Sequence, residues 1–246
     1  YAFRHACSNG HLDVAQWLLQ VSKEKRKRIN ISANNGYAFR GACENGHLHV
    51  AQWLLQVFEK NKILITIYAV EAFRLTCLNG HLGVCQWLLQ IFKEGKTFEN
   101  EALQTIQDAF EEACINGRLY IAKMLLQLKP DIDISADDDN IFRTVCCCGY
   151  LELAKWLLRV KPDINISAEN EDAFRSACYL GHLEVAKWLL QVKPDIDITA
   201  VEHSAFRYCV EKKSRLHIAK WLQSLRPDLY VISFDKKGFK GRIITK

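Results

Sequence analysis

The stretch Asp172–Thr199 runs D-A-F-R-S-A-C-Y-L-G-H-L-E-V-A-K-W-L-L-Q-V-K-P-D-I-D-I-T, and its apolar spacing decides the fold. Phe174, Ala177 and Cys178 fall at i, i+3 and i+4, one narrow apolar face of a helix predicted from Ala173 to about Leu180. Asp172 is placed to cap that helix. Gly181 suits the tight or left-handed geometry of a helix-to-helix turn. A second helix is predicted over Leu183–Val192, with Leu183, Val185, Ala186, Leu189 and Leu190 inward. Lys193-Pro194 ends it, because the residue before proline is pushed out of the helical region. Asp195–Ile198 then alternates polar and apolar, the pattern of a short extended stretch. The unit is helix, turn, helix, extended loop.

The same block recurs in both directions. Phe3, Phe39, Phe73, Phe110, Phe142, Phe174 and Phe206 anchor seven copies at intervals of 36, 34, 37, 32, 32 and 32 residues. A repeat of this period means one supersecondary unit stacked on copies of itself, a quasi-one-dimensional array rather than one closed core. The array is assigned to residues 1–234, with copies starting near 1, 37, 71, 108, 140, 172 and 204. The front copies carry extra residues at 23–28, 59–64 and 93–107, always after a second helix, so they fall on one edge of the stack. The fourth copy is aberrant (Glu111, Arg118 and Met124 replace Arg, His and Trp) and is expected to be a seam. The seventh loses its glycine to Glu211-Lys212-Lys213-Ser214. Residues 235–246 are expected to be an exposed basic tail. Tyr1 opens inside a copy, which leads to the expectation of a piece of a longer chain.

Composition narrows the function class. Of 246 residues 49% are hydrophobic, enough to bury a continuous core. No stretch approaches the roughly 18 apolar residues of a membrane span. Six of the ten cysteines sit four residues after the repeat Phe, at equivalent heights of a stack, so they are small core groups rather than disulfide partners. Free thiols place the chain in a reducing compartment, cytoplasm or nucleus. No phosphate-loop or nucleophile-elbow motif occurs and no carboxylate set stands outside the repeat, so no enzyme, catalytic residue or cofactor is expected. Cys7/His11, Cys43/His47, Cys77/His81 and Cys178/His182 share a C-x₃-H spacing. They recur because the unit recurs, and a metal needs about four converging ligands, so no metal site is expected.

G-H-L-E-V-A-K-W-L-L followed by P-D-I-D-I-T-A resembles the ankyrin repeat, whose pattern is T-P-L-H-x-A-A-x-x-G-H-x-x-x-V-x-x-L-L-x-x-G-A-D-V-N. The A-F-R-x-A-C openings and P-D-I-D-I-S endings further resemble ankyrin arrays of amoeba-infecting giant viruses, which would put the protein in a host cell. The resemblance implies an all-α, ankyrin-type α-solenoid of about seven helix-turn-helix repeats with short extended or hairpin loops. The family's T-P-L-H is D-A-F-R here, and its hairpin-tip glycine is replaced by Asp138, Asn170 and Glu202, so loops shorter than full β-hairpin fingers are expected. Asn30 and Asn165 match the asparagine of the family's D-V-N, where asparaginyl hydroxylation occurs.

The resemblance also implies a function: a non-enzymatic, monomeric scaffold that binds a protein on its concave loop and first-helix face. Carried over, that face comprises Ser8/Asn9, Glu44/Asn45, Leu78/Asn79, Ile115/Asn116, Cys147/Cys148 and Tyr179/Leu180, the residue pairs before each glycine. Asp137, Asp138, Asp139, Glu169, Glu171 and Asp172 make the adjoining loops acidic and favour a basic partner. The bland alternative is that these acids are caps and solvated loop charges. Some viral relatives recruit substrates for ubiquitin ligases, although no F-box-like segment is visible here. A competing class is a nucleic-acid or anionic-surface binder using Lys23–Arg28, the tail and an arginine ladder (Arg4, Arg40, Arg74, Arg143, Arg175, Arg207). For those arginines a structural tie to loop carbonyls or to acids of a neighbouring copy is the stronger expectation. For Trp17, Trp53, Trp87, Trp156, Trp188 and Trp221 it is half-buried packing between copies. For Lys23–Arg28 it is a solvated extension of the second helix.

Overall fold

The computed structural model describes residues 1–61, 63, 65–94, 101–235 and 238–244. Residues 62, 64 and 95–100 of the second and third insertions, and 236–237 and 245–246 of the expected tail, lie outside them. The chain divides into two compact units, Tyr1–Ile132 and Asp133–Lys246. The division falls directly after the aberrant fourth copy.

The first unit holds four helix pairs, α1 (Ala2–Ser8) and α2 (Leu12–Glu24), α3 (Ala33–Glu44) and α4 (Leu48–Lys60), α5 (Thr66–Asn79) and α6 (Leu82–Glu94), α7 (Glu101–Ile115) and α8 (Leu119–Leu128). The second unit holds three more, α9 (Ala136–Cys147) and α10 (Leu151–Val160), α11 (Ala168–Leu180) and α12 (Leu183–Val192), α13 (Ala200–Val210) and α14 (Leu216–Leu225), then β1 (Tyr230–Asp235) and β2 (Gly238–Ile243). α12 has the bounds that its apolar spacing predicts. Within each unit successive first helices lie side by side, α1, α3, α5, α7 and α9, α11, α13.

The repeat residues build the joints between pairs. The anchor Phe of α3, α5, α7, α9 and α11 is fully buried, as are the cysteines four residues on. Burying a phenylalanine contributes about 2 kcal/mol. Four of the joints add an aromatic step to the next copy's tryptophan: Phe3 to Trp53 and Phe39 to Trp87 at 6.2 Å in the first unit, Phe142 to Trp188 and Phe174 to Trp221 at 6.3 Å in the second. The G-H dipeptide works across the joint as well. A Cβ on Gly10 would lie 2.6 Å from the His47 ring, and one on Gly149 2.3 Å from the His182 ring. These histidines are packing groups, and among the described residues no cluster of three or more His, Cys, Asp or Glu could hold a metal.

The loops depart from the expectation in a specific way. Ile132, Ile134, Ile164, Ile166 and Ile196 do point inward, as alternation predicts, but no strand forms there. The loop instead closes on side chains: Asn30, Asp133, Asn165 and Asp197 each accept the backbone N–H two residues on through Oδ1, at 2.8–3.2 Å. Three consecutive left-handed residues then precede the regular helix, at Asn34–Gly36, Asp137–Asp139, Glu169–Glu171 and Val201–His203. This turn stands where the family's hairpin finger would be, and it is stabilised by the arginine ladder. Arg175 donates Nε to the Asn170 carbonyl at 2.7 Å and Nη2 to the Glu169 carbonyl at 3.1 Å. Arg40 and Arg143 fork their own turns in the same manner. The ladder is therefore structural, but mostly within a copy. Asp172, expected as a helix cap, instead binds Arg143 of the preceding copy, Arg175 and Ser176.

The expected tail begins as the turn-side end of a hairpin. Tyr230 pairs with Ile243 and Asp235 with Gly238 in an antiparallel ribbon. Tyr230 is fully buried, stacked on Phe206 at 4.2 Å and 13°, with its hydroxyl 3.1 Å from His203 Nδ1. It covers the last Phe where a further copy's aromatic would otherwise lie.

Candidate partner-binding surface

The x-x-Gly pairs sit at the C-terminal ends of the first helices, where the helix has unpaired carbonyls. The asparagines of the first unit are used on those groups. Asn45 donates Nδ2 to the Gly41 carbonyl at 2.8 Å and to Ser8 Oγ at 3.3 Å. Asn79 and Asn116 close their helices on the Leu75 and Glu112 carbonyls at 3.0 and 2.8 Å. Their partners in the pair differ: Glu44 and Leu78 are half-buried, while Ile115 is exposed. Leu78 is also tied through its backbone, since its carbonyl accepts Arg118 Nε at 3.0 Å. The first-unit portion is thus a row of helix caps with isolated apolar groups between them.

The second unit gathers its residues more tightly. Cys147 and Cys148 are half-buried at the end of α9, and burial, then Cys148 and Asp172, hold the Cys147 thiol above its usual range. Tyr179 and Leu180 at the end of α11 are 41% and 43% exposed. Tyr208 of α13, 45% exposed, meets Tyr179 edge-on at 5.2 Å. Arg215, buried in a 3₁₀ turn over Lys213–Arg215, lays its guanidinium 4.3 Å from the Tyr179 ring centre. Tyr208 was not legible because it stands two residues after the repeat Phe, outside the pair before the glycine, and Arg215 was not because the seventh copy has one residue too many. Aligned on Leu216 instead, Arg215 falls in the histidine column, and that is the signal that would have found it.

The acidic residues divide into two sets. Asp137, Asp138 and Glu169 are exposed on the left-handed turns. Asp139 and Glu171, at the third turn position, are only 7% and 8% exposed. Asp139 Oδ2 accepts the Asn165 N–H at 2.8 Å; Glu171 Oε1 accepts the Asp197 N–H at 3.4 Å and its Oε2 the Ser167 hydroxyl at 2.8 Å. These two carboxylates join successive copies and present nothing to a partner. Local spacing cannot separate them from their neighbours, since only the left-handed backbone turns every third side chain inward.

Models of ankyrin repeats match residues 110–201 and 141–231 (three copies) and residues 3–55 (many copies), more than two thirds of the chain together. Among solved structures, the human ASB11 ankyrin repeat domain superposes with a TM-score of 0.59 at 16% identity, over 90% of this chain and 97% of that one, a likeness of fold. No curated protein matches the sequence.

Proposed function

The chain belongs to the ankyrin repeat family, and from that premise we propose that it is a protein-binding module whose main contact is the ledge formed by α9, α11 and α13. Repeats of this family are generally protein–protein interaction modules. The observation that carries the reading is the edge-on contact of Tyr179 with Tyr208, each of them and Leu180 more than two-fifths exposed; Cys147 and Cys148 hold the equivalent positions at the end of α9. Rigid aromatics that already pack on one another lose little entropy on binding and are the usual energetic centre of an interface. Asp137, Asp138 and Glu169 supply an acidic rim, so a basic partner is steered to the ledge. Glu44, Leu78 and Ile115 offer weaker, dispersed contacts in the first unit. Ten free thiols suit a reducing compartment. The chain acts as a monomer and contributes no chemistry of its own.

Affinity capture from a cell lysate under reducing conditions tests this, with two variants beside the native chain. Tyr179→Ala with Tyr208→Ala should abolish capture of a specific protein while circular dichroism and melting stay native-like. Charge reversal at Asp137, Asp138 and Glu169 should weaken capture and flatten its dependence on salt. A partner captured equally by all three chains sinks the ledge as the binding surface.

A further inference from the structure

The loop joining α2 to α3 forms one side of a cleft of about 880 Å³ whose other side is α4. Its construction begins at the end of α2. Arg26 adopts a left-handed conformation (φ 51°), Lys27 N–H reaches back to the Ser22 carbonyl at 3.0 Å and Arg26 N–H to the Lys23 carbonyl at 3.2 Å. This pair of bonds closes the helix and turns the chain sharply, and Arg28, two residues on, lines the cleft as Lys60 does. Lys23, Arg28 and Lys60 line it together with Gln16, Gln20 and Asn61, the last of which gives its Nδ2 to the Val57 carbonyl at 2.6 Å, and Ile31, Trp53 and Val57 supply an apolar part. No described carboxylate lines it. Glu24, the nearest acid on α2, lies outside and accepts the Gln20 amide at 3.1 Å.

The same position in the second unit shows what is unusual. There the loop is Lys161-Pro162-Asp163, and Lys161 donates to Asp163 at 2.8 Å. Lys193-Pro194-Asp195 and Arg226-Pro227-Asp228 repeat the arrangement at 3.0 and 2.8 Å. Each cation is neutralised by an acid of its own loop, and the groove lined by Pro162 and Lys193 is smaller, about 410 Å³. Counting back from the shared Ile-Asn-Ile-Ser, Arg28 occupies the column of Asp163. The first loop therefore replaces the neutralising acid by a base, and among the described residues Lys23, Arg28 and Lys60 have no ion pair. The groove at this loop position is larger in the first unit than beside Pro162 and is lined by three cations that make no ion pair among the described residues.

We propose that this cleft binds a small phosphate ester, its phosphates on Lys23, Arg28 and Lys60 and its organic part against Trp53 and Ile31. Cations beside an apolar wall are the features such a ligand needs, and charge-assisted bonds are the strongest available to it.

Calorimetric titration of the full chain with adenosine triphosphate and with inorganic triphosphate, at low and physiological salt, tests the proposal. The nucleotide should bind more tightly than the inorganic ion. Lys23→Gln, Arg28→Gln and Lys60→Gln combined should weaken it by more than tenfold, whereas Lys25→Gln with Lys27→Gln, outside the lining, should leave it within twofold. Melting curves of both variants establish that the fold persists. The proposal is overturned if neither probe binds, if both variants weaken binding to the same extent, or if the inorganic ion binds as well as the ester. It is also overturned if a single-stranded oligonucleotide binds more tightly than either probe and is lost with both variants, which would make the basic run a nucleic-acid surface.

Discussion

The left-handed turns of the two units share a backbone and differ in what occupies the third position. In the first unit the turn is Asn34-Asn35-Gly36, three residue types that tolerate positive φ well, and the Tyr68 ring fills the space a Gly36 side chain would need, 2.5 Å from its Cβ. In the second unit the turns are Asp137–Asp139, Glu169–Glu171 and Val201–His203, none with a glycine, and Glu169, Glu171, Val201 and Glu202 hold left-handed geometry at greater cost. There the third side chain reaches the following loop or, for His203, Tyr230. The same strained turn is thus relieved in one place by choice of residue and offset in the other by a bond between copies. Conformation here is a property of the repeat, while chemistry is chosen copy by copy.

Grafting one solution onto the other should be the most damaging change. Gly36→Asp places a Cβ against the Tyr68 ring at φ +66°, and should destabilise the chain by about 3 kcal/mol in urea titration. Tyr68→Ala added to it should recover part of that loss, because the two sites share one volume. Arg175→Lys should cost about 2 kcal/mol, since a lysine cannot fork two carbonyls, and amide exchange should accelerate at Glu169–Glu171. An unchanged exchange pattern would mean the turn holds its shape without the arginine. Val201→Gly should act in the opposite sense, stabilising by about 1 kcal/mol, because a β-branched residue sits at φ 52°. The smallest effect is in pH. Burial, then His49, His81 and His11, lower the His47 pKa below its ordinary 6.5. The unfolded chain therefore binds more protons there, so this contribution is complete above pH 6.5 and is lost as pH falls through the depressed value. Hydrogen exchange at mildly acidic pH should loosen α3 and α4 before α11 and α12, and His47→Gln should remove the difference.

The helices and their faces were legible because they rest on periodicity: Phe174, Ala177 and Cys178 are all fully buried, and Leu183–Val192 is helical as spaced. The joints were partly legible, in that tryptophan and histidine columns announce contacts between copies without saying which groups meet. The turns were not. Nothing in Glu169-Asn170-Glu171 or Val201-Glu202-His203 favours three left-handed residues in succession; the stacked neighbours and the arginine fork impose them. That hidden geometry is why spacing alone groups Asp139 and Glu171 with Asp137, Asp138 and Glu169, although their carboxylates turn inward. The terminal ribbon was missed for another reason. Tyr230, Ile232 and Phe234 alternate as a strand should, but Lys236, Lys237, Lys240 and Arg242 give the following residues the composition of a solvated tail.

The Phe-to-Trp steps at four of the joints make the molecule its own set of optical gauges. Trp53, Trp87, Trp188 and Trp221 each lie against the phenylalanine of the copy before, so the emission of each reports whether that one joint is closed. Trp17, 60% exposed, serves as the in-built reference for a tryptophan in water. Variants retaining a single indole would let the order in which an array unzips be followed joint by joint, with no label added.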